Sequence, residues 1–132
     1  MPADIVLALA KSRVLIVDDY PGARYRRMRL LLDDGGFDVA EESLGRDAIR
    51  RIEQERFDLA VIDLHLPDIS GLDVCKGIRA NARTAQLPIL MVSAVSEAEQ
   101  ADQLARDAGA TRFIADEADG ATFVRAVRET LG

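Results

Sequence analysis

The sequence predicts an α/β protein, a single domain in which five parallel strands alternate with helices as a doubly wound (βα)5 sheet. Three observations predict this. Apolar runs alternate with longer amphipathic segments five times along the chain. Three of those runs are continuous rather than alternating, the pattern of strands covered on both faces. The length of 132 residues, 48% of them apolar, suits one well-buried core and argues against two domains.

The elements follow in order. Ile5-Val6-Leu7-Ala8-Leu9-Ala10 is apolar but too short to span a membrane, and Asp4 stands where a signal peptide would be positive. Residues 1–12 are expected to be a leader, either disordered or a short helix packed on the domain or on a second copy, and residues 13–132 the domain. Arg13 to Val17 is the first strand, with the unbroken run Val14-Leu15-Ile16-Val17. Gly22 to Asp34, containing Leu30-Leu31-Leu32, has helical spacing and should stop at Gly35-Gly36. Phe37 to Glu41 is the second strand, and Arg46 to Glu55, with Ala48, Ile49 and Ile52, the second helix. Leu59 to Asp63 and Ile89 to Ser93 are the other continuous runs, central strands on this pattern. Between them Leu72 to Ala82 presents Val74 and Ile78 at helical spacing. Glu97 to Ala108, with Leu104 and Ala108, should end at Gly109, Thr111 to Ala115 is the fifth strand, and Phe123-Val124-Val127-Leu131 marks the last helix. No repeat, low-complexity tract or Pro/Gly-rich linker interrupts the chain.

Charge narrows the function classes. Charged residues are 30% of the chain with both signs interspersed, the formal net charge is −6 and the pI about 4.8. No Lys/Arg stripe forms, so direct binding to nucleic-acid phosphates is not expected of this domain. Cys75 is the one cysteine and cannot pair within the chain; on a helix it reads as a small buried apolar residue, consistent with a reducing, cytoplasmic setting. No membrane association is expected.

In open parallel sheets ligands bind beyond the carboxyl ends of the strands, where the strand order reverses. Asp18-Asp19 follow the first strand, Asp63 closes the third and Ser93 the fourth, so three carboxylates and a hydroxyl should converge there. Crowded carboxylates repel one another unless a cation or protons intervene, and an all-oxygen set suits Mg²⁺ or Mn²⁺. An aspartate after a strand is also a favoured loop residue or helix N-cap. The constellation, more than any one aspartate, carries the metal reading.

Val14-Leu15-Ile16-Val17-Asp18-Asp19, Asp63-Leu64-His65-Leu66-Pro67-Asp68-Ile69-Ser70-Gly71, Leu87-Pro88-Ile89 with Ser93-Ala94, and Gly109-Ala110 together resemble the motifs of response-regulator receiver domains, which have a flavodoxin-like fold. The resemblance runs from about Arg13 to the C-terminus, and the separations of Asp19, Asp63 and Ser93 agree with the family's. It implies that Asp63 is the phosphoacceptor, that Asp19, Asp63 and the backbone carbonyl of His65 bind Mg²⁺, and that Asp18 acts through a water. Ser93 would contact the phosphoryl group and, with Phe113, form the switch. The implied donor is a phosphohistidine on a histidine kinase or phosphotransfer protein, and signalling would pass by protein contact to an unknown partner. The side chain of His65, the only histidine, is expected to point to solvent, Met91 to be core, and Pro67 and Gly71 to shape the loop after Asp63.

The chain departs from the family around the fifth strand, where Phe113 lacks the hydroxyl of the tyrosine often found there and the residues that follow differ. Where receivers carry a Lys-Pro pair after the fifth strand, it has Asp116-Glu117. An anion in place of that ammonium would cost about 3 kcal/mol per unit charge at ~5 Å and an effective dielectric of roughly 20. Asp116 turning to solvent, joining the metal site, or being offset by a basic neighbour such as Arg112 all remain open. The stretch Leu66 to Cys75 is also similar to receivers of hybrid sensor kinases, some of which lack the lysine. Two further readings stand beside the phosphoacceptor: a pseudo-receiver serving as a phosphorylation-independent interaction or dimerisation module, favoured by Asp116, and a small metal-dependent hydrolase or nucleotide binder on the same architecture. A homodimer would form through the leader and the last helix.

Overall fold

The computed structural model describes residues 11–19, 23–94, 98–115 and 119–132. The apolar leader at 5–10 and the pair Asp116-Glu117 lie outside the described residues. The elements are β1 (Arg13–Val17), α1 (Ala23–Asp34), β2 (Asp38–Glu42), α2 (Gly45–Gln54), β3 (Leu59–Asp63), α3 (Gly71–Ala80), β4 (Ile89–Ser93), α4 (Ala98–Ala108), β5 (Arg112–Ala115) and α5 (Gly120–Leu131). All neighbouring strands pair in parallel, in the order β2-β1-β3-β4-β5. This is the flavodoxin-like, doubly wound arrangement.

Period-two geometry splits the core between the two faces of the sheet. Val14, Ile16, Leu59, Val61, Leu90 and Val92 face α1 and α5, meeting Tyr25, Met28, Leu32, Phe123 and Val127. The alternate residues Leu15, Val17, Ala60, Ile62, Ile89 and Met91 face α2, α3 and α4, meeting Ala48, Ile52, Val74, Cys75, Ile78 and Ala105. Every residue of β3 and β4 is buried, as the continuous runs predict. Cys75 and Met91 are core residues.

The differences from expectation have local causes. β2 begins at Asp38 and runs to Glu42 because Phe37 belongs to the stop of α1: its N–H donates to Leu32 O at 3.0 Å, after Gly36 turns at φ 84°. Helix α3 ends at Ala80, and Asn81 leaves it with extended backbone. Strand β5 starts at Arg112, while Thr111 bonds Ile89 through both its N–H and its hydroxyl. Leu30 and Leu104, counted with the helical stripes, are instead 65% and 49% exposed. Among the described residues no helix is long and apolar enough to cross a membrane.

The strand at one edge of the sheet, β2, is bordered by charge. Asp38 pairs with Arg13 at 3.6 Å, Glu41 with Arg29, and Glu42 with Arg51 at 3.3 Å. These half-exposed pairs add little to stability individually.

Candidate functional site

The chain leaves β1 for β2 on one side and reaches β3 on the other, so a crevice opens beyond the carboxyl ends of β1 and β3. Val17 pairs with Ile62, and continuing that register by one residue sets Asp18 beside Asp63. Asp63 in turn pairs with Val92, which places Ser93 one step further out on β4. Asp18 and Asp63 are each 4% exposed and Ser93 is fully buried, whereas Asp19 is open to solvent. The sheet thus brings Asp18, Asp19, Asp63 and Ser93 to one edge.

The backbone holds these groups firmly. Asp18 N–H donates to Glu42 O at 3.1 Å, prolonging the contact between β1 and β2, and the Asp18 carboxylate accepts Asp19 N–H at 2.6 Å. After β3, Leu64 N–H donates to Val92 O at 3.0 Å and Leu64 O accepts Gly71 N–H at 2.8 Å, closing residues 64–71 into a tight loop. Within it Asp63 Oδ1 accepts His65 N–H at 3.3 Å, and the His65 side chain is exposed. Phe113 is partly buried, packs on the α2–α3–α4 face, and lies opposite Met91, two positions before Ala115 pairs with Ser93. Arg112, one of the groups considered for offsetting Asp116, stands at the opening end of β5 and pairs with Glu129 at 3.1 Å. Its guanidinium is already committed.

Two buried carboxylates on adjacent strands favour a cation between them. Among the described residues no three His, Cys, Asp or Glu side chains are grouped to hold a metal unaided. The expected convergence of three carboxylates on one metal is therefore not seen among the described residues, although an ion such as Mg²⁺ needs only one or two carboxylates and completes its shell with carbonyl, water and phosphate oxygens. The donors present fit such an ion.

One residue of the site escaped the sequence reading as a functional group. The N-cap of α2 is Leu44, which has no capping side chain. Asp68 supplies the cap from the loop after β3, its two carboxylate oxygens accepting Gly45 N–H at 2.8 Å and Arg46 N–H at 3.0 Å. Desolvation pushes the Asp68 carboxyl up, but backbone N–H donors from Arg46, Gly45 and Ile69 outweigh it and hold the group below its ordinary range. Asp68 therefore ties the loop bearing the His65 carbonyl to a helix on the far side of the site. The Asp68→Ala variant should lose about 1–2 kcal/mol at neutral pH, read from urea midpoints. Because the folded value is depressed, this contribution is complete above the ordinary aspartate range and is lost as pH falls below that range through the lower folded value. The gap between wild type and variant should therefore stay constant down to about pH 5 and close below about pH 4.

The response regulator receiver domain family model matches residues 14–128. The chain belongs to this family. Chemotaxis protein CheY-3 of Vibrio cholerae is 35% identical over 112 residues, covering 84% of this receiver and 85% of that protein. A candidate response regulator from Chloroflexus aurantiacus superposes with TM-score 0.88 at 30% identity over 92% of this receiver and 98% of that chain. The receiver domain of a Pseudomonas aeruginosa sensor histidine kinase, with a magnesium ion coordinated in its active-site cleft, superposes with TM-score 0.84 at 27% identity over 93% of this receiver and 99% of that chain. This receiver is accordingly a module of two-component signalling.

Proposed function

We propose that this receiver accepts a phosphoryl group on Asp63 from a phosphohistidine of a histidine kinase or phosphotransfer protein. The observation that carries the reading is that buried Asp18 and buried Asp63 each come one residue beyond the last paired positions, Val17 and Ile62, of two neighbouring strands at the strand-order reversal. A carboxylate oxygen of Asp63 attacks phosphorus, the phosphorus–nitrogen bond breaks, the electron pair leaves with the imidazole, and an acyl phosphate remains on Asp63. Asp19, Asp63 and the His65 carbonyl are the residues that would hold Mg²⁺, with Asp18 acting through a water. When bound, the ion offsets charge on the attacking carboxylate and the incoming phosphoryl group. Its presence in the Pseudomonas aeruginosa receiver supports this assignment. Ser93 would donate its hydroxyl to a phosphoryl oxygen and Phe113 would respond, a reading supported by the position of Ser93 at the end of β4 and of Phe113 opposite Met91 on β5. The chemistry is confined to the receiver's own phosphorylation and dephosphorylation.

Intact-mass analysis after incubation with Mg²⁺ and acetyl phosphate tests this. Wild type should gain a phosphoryl adduct that is absent without Mg²⁺ and absent from Asp63→Asn. Asp116→Lys, which returns the family's ammonium to that position, should give a larger or longer-lived adduct. An unmodified wild type, or an adduct that survives Asp63→Asn, overturns the proposal.

A further inference from the structure

At the opposite edge of the sheet, beneath the amino-terminal ends of β3 and β4, lies a cleft of about 460 Å³. One wall is the α2–β3 connection around Arg56, Phe57 and Asp58, and the other is the α3–β4 connection from Arg83 to Pro88. Neither wall belongs to the site at Asp63.

Both walls are pinned from outside the cleft. Arg13 donates its guanidinium to Arg56 O at 3.0 Å and its N–H to Asp58 Oδ2 at 2.7 Å, and it covers the buried Phe57 ring at 4.5 Å. Arg79 donates to Ala85 O at 3.0 Å and Leu87 O at 2.7 Å, while the Thr84 hydroxyl donates to Ile78 O at 2.6 Å. The opening is therefore preformed.

Its charges are unevenly committed. Glu55 is held by Arg13 at 3.3 Å and Arg51 at 2.8 Å, and Asp58 accepts the Arg13 N–H. Arg56 and Arg83, one from each wall, are exposed, and their guanidinium groups have no ion pair or hydrogen bond among the described residues. Two uncommitted guanidinium groups across a preformed opening are a fit for an anion, even on a chain of net charge −6. Planar guanidinium forks match phosphate oxygens, and the volume lies in the range of small-molecule sites. Ile52, Leu87 and Pro88 line the cleft beside them and offer apolar contact to a carbon frame.

We infer that this cleft binds a small organic phosphate between Arg56 and Arg83. The site is separate from the one proposed for phosphorylation and does not depend on it. Amide ¹H–¹⁵N spectra recorded without Mg²⁺ during titration with AMP, inorganic phosphate and adenosine test it. AMP should produce saturable shifts in the amides of residues 55–58 and 83–87, inorganic phosphate weaker shifts in the same amides, and adenosine none. Replacing both arginines (Arg56→Ala with Arg83→Ala) should weaken AMP binding about tenfold or more. That variant should keep its fold and its phosphoryl uptake at Asp63, since neither side chain bonds another group among the described residues. Absence of saturable shifts there, equal binding by adenosine, or equal affinity in the double variant overturns the inference.

Discussion

Gly71→Ala should destabilise the receiver by about 3 kcal/mol or more, since overpacking against fixed backbone is among the costliest small changes. A Cβ at Gly71 would sit 2.2 Å from the Asp63 carbonyl oxygen, and 3.0 Å from the Asp63 carbonyl carbon and from Leu64 Cα. All three are backbone atoms, so no side chain can rotate away. The Gly71 N–H is meanwhile held on Leu64 O at 2.8 Å, which fixes the start of α3 against the end of β3. Relief requires α3 to move off the strand that carries Asp63, so the variant should also lose phosphoryl uptake in proportion. Gly36→Ala is the informative contrast. Gly36 has φ 84° but nothing within 4 Å of a built Cβ, so only the backbone penalty remains, about 1 kcal/mol. Urea unfolding of the two variants separates crowding from conformation, and equal losses would show that the close approach at Gly71 is unimportant.

Arg79→Met should cost about 3 kcal/mol while leaving α3 helical. The Arg79 guanidinium donates to three backbone carbonyls, Gly109 at 2.9 Å, Ala85 at 3.0 Å and Leu87 at 2.7 Å, and makes no salt bridge among the described residues. Desolvation lowers its pKa despite the nearby Cys75, a sign that the charge is partly removed from water. Methionine keeps the aliphatic stem that packs on Gly109 but withdraws every donor, leaving partly buried carbonyls unsatisfied at about 1 kcal/mol each. The urea midpoint should fall, and amide exchange should rise in residues 83–88 before it rises in β3. A midpoint within about 0.5 kcal/mol of wild type would show that water replaces the guanidinium.

These two residues also mark how far the sequence could be read. The bounds of β1, β3 and β4 follow from unbroken apolar runs because strands paired on both sides and covered on both faces have no polar position to blur their ends. The edge strands β2 and β5 lack that protection. Phe37 is a core residue whose N–H closes the α1 stop, and Thr111 bonds Ile89 on β4 twice from outside β5, so each displaced an expected end by one residue. Leu30 and Leu104 show the limit of helical spacing: a contiguous or isolated leucine fits the period without facing the sheet. The positions of Asp18, Asp63 and Ser93 at one edge of the sheet were legible because each ends or directly follows a readable strand. Asp68 and Arg79 were not, because polar tethers leave no periodic trace, whether they reach 23 positions as from Asp68 to Gly45 or 6, 8 and 30 as from Arg79 to Ala85, Leu87 and Gly109. The one local signal for Asp68 was Leu44, a helix start without a cap of its own.

The charged border of β2 has a consequence for crowded solutions. An exposed strand edge is a template on which another chain can lay a strand of its own. A second copy approaching edge to edge would face Asp38, Glu41 and Glu42 with the same three carboxylates, each already balanced within its own chain by Arg13, Arg29 or Arg51. Joining the edges would disturb those pairs on both copies and bring like charges into register. The ribbon of ion pairs, worth little to the fold itself, thereby discourages continuous cross-chain sheets and aggregation when the protein is abundant.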